Sequence, residues 1–307
     1  MKKFIFKISY IILPILFFSI CLEIATRNIP NDYKTKDKYI KANGSKIQTL
    51  ILGNSHTFYG VNPIYFRSNT YNLAFLSQSV EYDYRLWDRY KNELKNLKTV
   101  IVPISLFTLH STMESDGCGW MIKNYNIYMD VHSSSEPKYN FEIFSEKIRP
   151  LLEKNYLYYK KDSTYSMSKE LGWASRKGTK KGKSIIDYSM DAFQRHSVDT
   201  NLYVADNIKT LHTFINELDK RKIKIILITT PTYKSYYNLV VAKNQYKEIQ
   251  KELLKIDSTY SNCIYINSIN DDRFLDSDFY DGDHLNEVGA KKYSLFLDSI
   301  VNNKTKE

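Results

Sequence analysis

Ile47-Gln48-Thr49-Leu50-Ile51-Leu52-Gly53-Asn54-Ser55-His56-Thr57-Phe58-Tyr59 begins as a mostly apolar, β-branched run and breaks at Gly53 into a small polar turn. The run has the length of a buried strand, and the turn is where a strand hands over to a helix. A serine at that junction stands at the carboxyl edge of a sheet, hydroxyl exposed and backbone N–H aimed outward. Near its other end the chain reads Phe279-Tyr280-Asp281-Gly282-Asp283-His284-Leu285-Asn286-Glu287-Val288-Gly289. Asp281 precedes His284 by three residues, in a turn ahead of a helical pattern. That spacing lets Asp281 bond one imidazole nitrogen while the other faces a hydroxyl. Ser55, His284 and Asp281 are thus the candidate nucleophile, base and orienter of an acyl-transferring serine enzyme.

The pattern between these ends alternates. Strands are expected at 47–52, 71–75, 99–104, 223–229 and 263–266, and helices at 82–97, 202–222, 237–258 and 286–301. Strands alternating with helices predict an α/β domain whose mainly parallel sheet is covered on both faces. That domain is expected over 47–302. Residues 109–200 lose the regular pattern and are expected to form an inserted, partly helical cap, far longer than ordinary connections.

The first residues carry a second signal. Lys2, Lys3 and Lys7 bracket the start of a long apolar run that Glu23 and Arg27 close. Its length approaches the roughly 20 residues a bilayer needs. No A-x-A pattern follows, and Cys21 is preceded by Ile20, so 1–25 reads as an uncleaved single-pass transmembrane helix in the cell membrane. Lysines ahead of the span predict a cytosolic amino end and a catalytic domain outside the cytosol. The polar stretch 26–46 reads as a stalk. The net charge of +10 fits anionic lipid or acidic glycans. With no zinc-finger spacing, P-loop or arginine-rich helix, no nucleic-acid partner is expected. Cys21, Cys118 and Cys263 form no C-x-x-C. Unpaired thiols are the default, with a Cys118–Cys263 bond as the alternative. The lysine-rich stretch 176–183 reads as a solvated loop.

Each candidate has a plainer reading. Ser55 would also serve as a helix cap, and Asp281 and Asp283 would suit a helix start. Asp283 is the rival orienter, but adjacent residues usually direct their side chains apart. His56 reads as a packing or substrate contact. His56, Asp281, Asp283 and His284 together would suit zinc or manganese, yet lack the tight helical spacing of known ligand motifs. No metal or other cofactor is therefore expected. His110, His132, His196 and His212 stand in unremarkable contexts and receive structural roles. Tyr233, Tyr236 and Tyr237 follow a strand on the Ser55 edge and would suit stacking on sugars.

Gly53-Asn54-Ser55-His56 and Asp281-Gly282-Asp283-His284, with a weaker block at Tyr71-Asn72-Leu73-Ala74-Phe75-Leu76-Ser77-Gln78-Ser79, resemble the SGNH (GDSL-type) hydrolase superfamily. The style is similar to its membrane-anchored members that add or remove O-acetyl groups on bacterial surface polysaccharides. The resemblance implies a three-layer α/β/α sandwich, with Ser after the first strand and Asp and His in one late loop. It implies an oxyanion site using the backbone N–H of Ser55 and of Ser77, which stands where relatives carry Gly. The third-block Asn of the family has no counterpart, and Ser105 is the nearest substitute. Asn54 replaces a common Asp. Asn54, Ser105 and Tyr233 are the candidate substrate contacts. The expected function is a serine-dependent acyl esterase or O-acetyltransferase acting on acylated cell-surface carbohydrate. The alternative is a catalytically degenerate glycan-binding or assembly protein.

Overall fold

β1 (Thr49–Ile51), β2 (Thr70–Asn72) and β3 (Thr99–Pro103) are buried along their whole length, which requires cover on both faces of the sheet. They are joined by β4 (Lys224–Thr229) and β5 (Cys263–Asn267). All pairings are parallel, in the order β2-β1-β3-β4-β5. This is a computed structural model. It describes residues 2–134, 136–163, 165–197 and 201–302, without the side chains of Lys2, Lys3 and Ile5. The side chains of two lysines of the expected cytosolic cluster lie outside the described part, as does the end of the expected insertion, 198–200.

The helices in chain order are α1 (Lys2–Asn28), α2 (Asp32–Asn43), α3 (Ser55–Gly60), α4 (Val80–Tyr90), α5 (Ile122–Met129), α6 (Glu142–Ser145) and α7 (Ile148–Lys161). They continue with α8 (Ile185–His196), α9 (Val204–Lys220), α10 (Lys234–Val241), α11 (Asn244–Thr259) and α12 (Glu287–Asn302). The chain is an α/β protein, a parallel five-stranded sheet with flanking helices and one long apolar helix near its start.

Two units divide the chain: Met1–Lys38 with Gly117–Met167, and Tyr39–Asp116 with Ser168–Glu307. The segments expected as stalk and insertion are each split between these units. Within the expected stalk lies α2, where Ile40 is fully buried and Tyr39 stacks on Tyr71 of β2 at 4.1 Å between ring centroids. In the first unit, Lys123 of α5 pairs with Glu142 (2.6 Å) and Glu146 (2.7 Å), and Tyr128 donates to Glu142 (2.5 Å). Burial of these charges is tolerated because each is paired.

In the second unit a core of Ile51, Ile101, Ile226 and Ile228 from the sheet meets Tyr293 and Leu297 of α12. Phe279 and Leu285 join the same core and form an antiparallel bridge with each other. The Asp281–His284 loop is thus pinned at both ends. Helix α4 ends earlier than its periodicity predicts. Leu94 and Leu97 continue the apolar spacing but are buried from turns. The helix expected at 237–258 is two, α10 and α11, separated at Ala242 and Lys243.

Candidate active site

Strand β1 has β2 on one side and β3 on the other, so the direction in which strands are added to the sheet reverses between β1 and β3. Loops leaving the carboxyl ends of such a pair diverge and leave a crevice. Ser55 follows β1 and Ser105 follows β3, at the carboxyl ends of that pair.

The Ser55 turn is built by glycine and braced by a carboxylate. Gly53 has φ +103°, a left-handed conformation that glycine adopts without a Cβ penalty. Its N–H donates to Asp83 of α4 at 2.7 Å, and the Gln78 amide donates to the same oxygen. Burial pushes the Asp83 carboxyl up to about 7. Asn54 caps α3 by accepting the His56 N–H (3.0 Å). The first intrahelical bond runs from Phe58 N–H to the Asn54 carbonyl (3.0 Å), so the Ser55 N–H lies ahead of the helix ladder.

The structure brings the three expected catalytic side chains together. His284 Nε2 lies 2.8 Å from Ser55 Oγ, and His284 Nδ1 lies 2.9 Å from Asp281 Oδ1. Asp281 Oδ1 also accepts the backbone N–H of His284 (3.0 Å) and of Asp283 (3.3 Å). One carboxylate therefore sets both the loop and the ring. Gly282 is needed for close approach: a Cβ there would stand 2.5 Å from Ser189 of α8. Its carbonyl accepts the Tyr233 N–H at 3.0 Å.

A second chain of bonds lies beside the first and was not foreseen. Ser105 Oγ is 2.7 Å from His56 Nδ1, and His56 Nε2 is 3.2 Å from Asp283 Oδ2. Asp283 Oδ1 stands 3.4 Å from His284 Nδ1, so Asp283 faces both imidazoles instead of turning away. His196, at the end of α8, comes within 3.9 Å of Asp283, and its Nδ1 is 2.8 Å from the Tyr236 hydroxyl. Two serine–histidine–aspartate arrangements thus meet at one carboxylate. Accessibility separates them: Ser105 is buried and Ser55 is only half-buried.

Electrostatics follow from this crowding. Burial opposes charge on His284, but Asp283 and Asp281 outweigh it and raise its pKa to about 9. Burial also opposes charge on Asp283, yet His284, His56 and His196 hold it well below the usual carboxylate range. Desolvation dominates at His196, lowering it to about 3, and it stays neutral. Arg176 lies over the rings of Tyr59 (3.9 Å) and Tyr280 (4.5 Å), with a nitrogen 3.8 Å from Asp281.

The remaining expected contacts fall as follows. Ser77 has φ +54°, the conformation glycine favours, where the resemblance puts a Gly. Its loop bonds to the Ser55 turn through Phe75 N–H to the Gly53 carbonyl (3.0 Å). Asn54 and Ser105 line the site with their side chains engaged: the Asn54 amide donates to Ser105 Oγ at 3.5 Å. Tyr233 is half-buried and donates to Asp276 at 3.1 Å. Tyr236 is buried and presents no face for stacking. His56, Asp283 and His284 offer ligand atoms within 4.8 Å of one another; here those side chains are hydrogen-bonded among themselves and to serines. Cys21 and Cys263 are free thiols, so the alternative Cys118–Cys263 bond is not formed.

No protein-family model matches the chain, and no curated protein sequence matches it. Several solved structures resemble it, among them these two. One, from Bacteroides fragilis, is provisionally named an acylhydrolase; it is 11% identical, with 86% of this chain and 94% of that chain covered and a TM-score of 0.42. The other, from Streptococcus pneumonia, is provisionally named a platelet activating factor; it is 10% identical, with 94% and 97% covered and a TM-score of 0.39. Folds host many chemistries, so activity is argued from the site.

Proposed function

We propose that the chain is a membrane-anchored serine esterase or O-acyltransferase of the SGNH type, acting on acylated cell-surface carbohydrate. The observation that carries this reading is the unbroken run Asp281–His284–Ser55, with bonds of 2.9 and 2.8 Å, at the carboxyl edge of the sheet. Neutral His284 takes the Ser55 proton as Oγ attacks an ester carbonyl, then returns it to the departing alcohol. The N–H groups of Ser55 and Ser77 stabilise the oxyanion. Water or a sugar hydroxyl then accepts the acyl group. Helix α1 is the anchor, with the α/β unit outside the cytosol.

The test is covalent labelling of the purified full-length chain with a fluorophosphonate. Peptide mass spectrometry should find the adduct on Ser55, and Ser55→Ala and His284→Ala should each lose at least 100-fold of the labelling rate. Labelling that persists in both variants overturns the reading. EDTA should leave ester turnover unchanged; loss restored by zinc or manganese would instead favour a metal hydrolase using His56, Asp283 and His284. One observation favours a binding protein without turnover. No Asn follows β3, and the Ser105 hydroxyl in its place is bonded to His56. Glycan binding with no acyl adduct on Ser55 is the outcome that reading requires.

A further inference from the structure

Helix α1 carries more than its own apolar surface. Within its unit, Glu23 accepts the backbone N–H of Glu142 (3.1 Å) and of Ile143 (3.0 Å), so a carboxylate from the apolar helix caps α6. Arg27 donates to the Asn140 carbonyl (2.7 Å), Asn155 to Thr26 Oγ1 (2.7 Å) and Tyr159 to the Ala25 carbonyl (2.9 Å). These bonds hold α6 and α7 against the last turns of α1. A groove lined by Ile12, Leu16 and Ile20 of α1 together with Phe141, Ile143 and Phe144 continues the apolar surface from one element to the next.

Helix α7 extends that surface. Ile148, Leu152, Tyr156 and Tyr159 fall at i, i+4, i+8 and i+11, on one face. They lie beside Asn155, which bonds α1. All four are exposed, as are Phe141 and Phe144; Phe144 shows 64% of its surface, Ile148 56% and Tyr156 55%. Leaving apolar surface in water costs about 25 cal/mol per Å², and a contiguous patch of this kind marks an interaction surface. What covers it follows from continuity. Phe6–Asn28 of α1 is 23 residues long and holds an 18-residue window of mean hydropathy 2.2, enough to cross a bilayer. The hydrogen bonds tie α6 and α7 to Glu23, Ala25, Thr26 and Arg27, at the end of that same span. Lys147, Arg149, Lys160 and Lys161 are exposed at the two ends of α7, and between Lys147 and Lys161 the one exposed acid is Glu153. Long basic side chains reach headgroups while their stems stay in the apolar layer.

We propose that residues 141–161 form a membrane-seated shelf. Phe141, Phe144, Ile148, Leu152 and Tyr156 enter the acyl-chain region of the leaflet where α1 ends, and the flanking lysines meet anionic headgroups. The proposal rests on reading α1 as a bilayer span, and does not depend on the chemistry at Ser55.

The test uses the full-length chain in vesicles of phosphatidylcholine and phosphatidylglycerol. The native thiols are replaced (Cys21→Ser, Cys118→Ser, Cys263→Ala). Single cysteines at Ile15→Cys, Phe144→Cys, Leu152→Cys and Leu254→Cys carry an environment-sensitive fluorophore. Leu254 is exposed on α11 of the other unit. Brominated phosphatidylcholine should quench the probes at 15, 144 and 152 at least twofold more than the probe at 254. Quenching at 15 alone overturns the shelf and leaves the anchor standing. No quenching at 15 removes the span and the shelf with it. Probes at 144 and 152 that are shielded from aqueous iodide yet untouched by brominated lipid place a second protein copy on the face, which also overturns the proposal.

Discussion

His284 sits between two carboxylates, Asp281 at 2.9 Å and Asp283 at 3.4 Å. The extra negative charge raises its pKa from 6.5 to about 9 against the cost of burial, so the resting imidazole holds a proton at neutral pH. Only the neutral ring can accept the Ser55 proton. Ester turnover should therefore rise with pH through an inflection well above 6.5, and Asp283→Asn should move that inflection down. A kcat/KM profile that is flat above pH 7 in the unaltered chain contradicts this. Stability runs the other way. A histidine whose folded pKa is raised stabilises fully below about 6.5 and loses that contribution as pH climbs through about 9, so Tm should fall across that alkaline window. Ser55, Asp281 and His284 were legible as residues because strand-to-turn context and the D-x-x-H spacing are local. His196 was not: it ends a helix in an irregular stretch, and only the fold brings it 3.9 Å from Asp283.

At the scale of elements, the nucleophile depends on a turn with no room in it. A Cβ on Gly53 would stand 2.1 Å from the ring of Pro103, at a φ of +103°. Gly53→Ala should cost about 3 kcal/mol or more from strain and overlap together, read as a lower urea midpoint with an unchanged m-value. A variant within about 0.5 kcal/mol of the parent would show that the turn relaxes freely. The turn was visible in sequence as a break in an apolar run; Asp83 beneath it was not. It reads as one more acid on an amphipathic helix, and its bond to the Gly53 N–H arises from packing of α4. Element ends were misread where burial mimics periodicity, as at Leu94 and Leu97 beyond α4.

Taken as a molecule, the chain pairs an α/β unit with a unit organised on α1. Leu22 and Thr26 of α1 are buried, and Glu23 caps α6, so loss of α1 would remove part of a packed unit. Membranes washed in alkaline carbonate should retain the full-length chain, with α1 intact by mass; a soluble product lacking α1 points to a cleaved leader. A reporter fused after residue 40 should be active only outside the cytosol, and cytosolic activity reverses the proposed orientation. The sequence alone determined the alternation of apolar strands and amphipathic helices, the Ser55 turn, the Asp281–His284 spacing and the long apolar helix. Each is a pattern written in neighbouring residues, where the periods of backbone and side chain act directly. Tertiary structure alone decided that His196 and Asp83 reach the site, that Ser105 and Asp283 are bridged by His56, and that 117–167 belongs with α1. Those contacts join segments far apart in the chain, and close packing selects them with no local period to announce it.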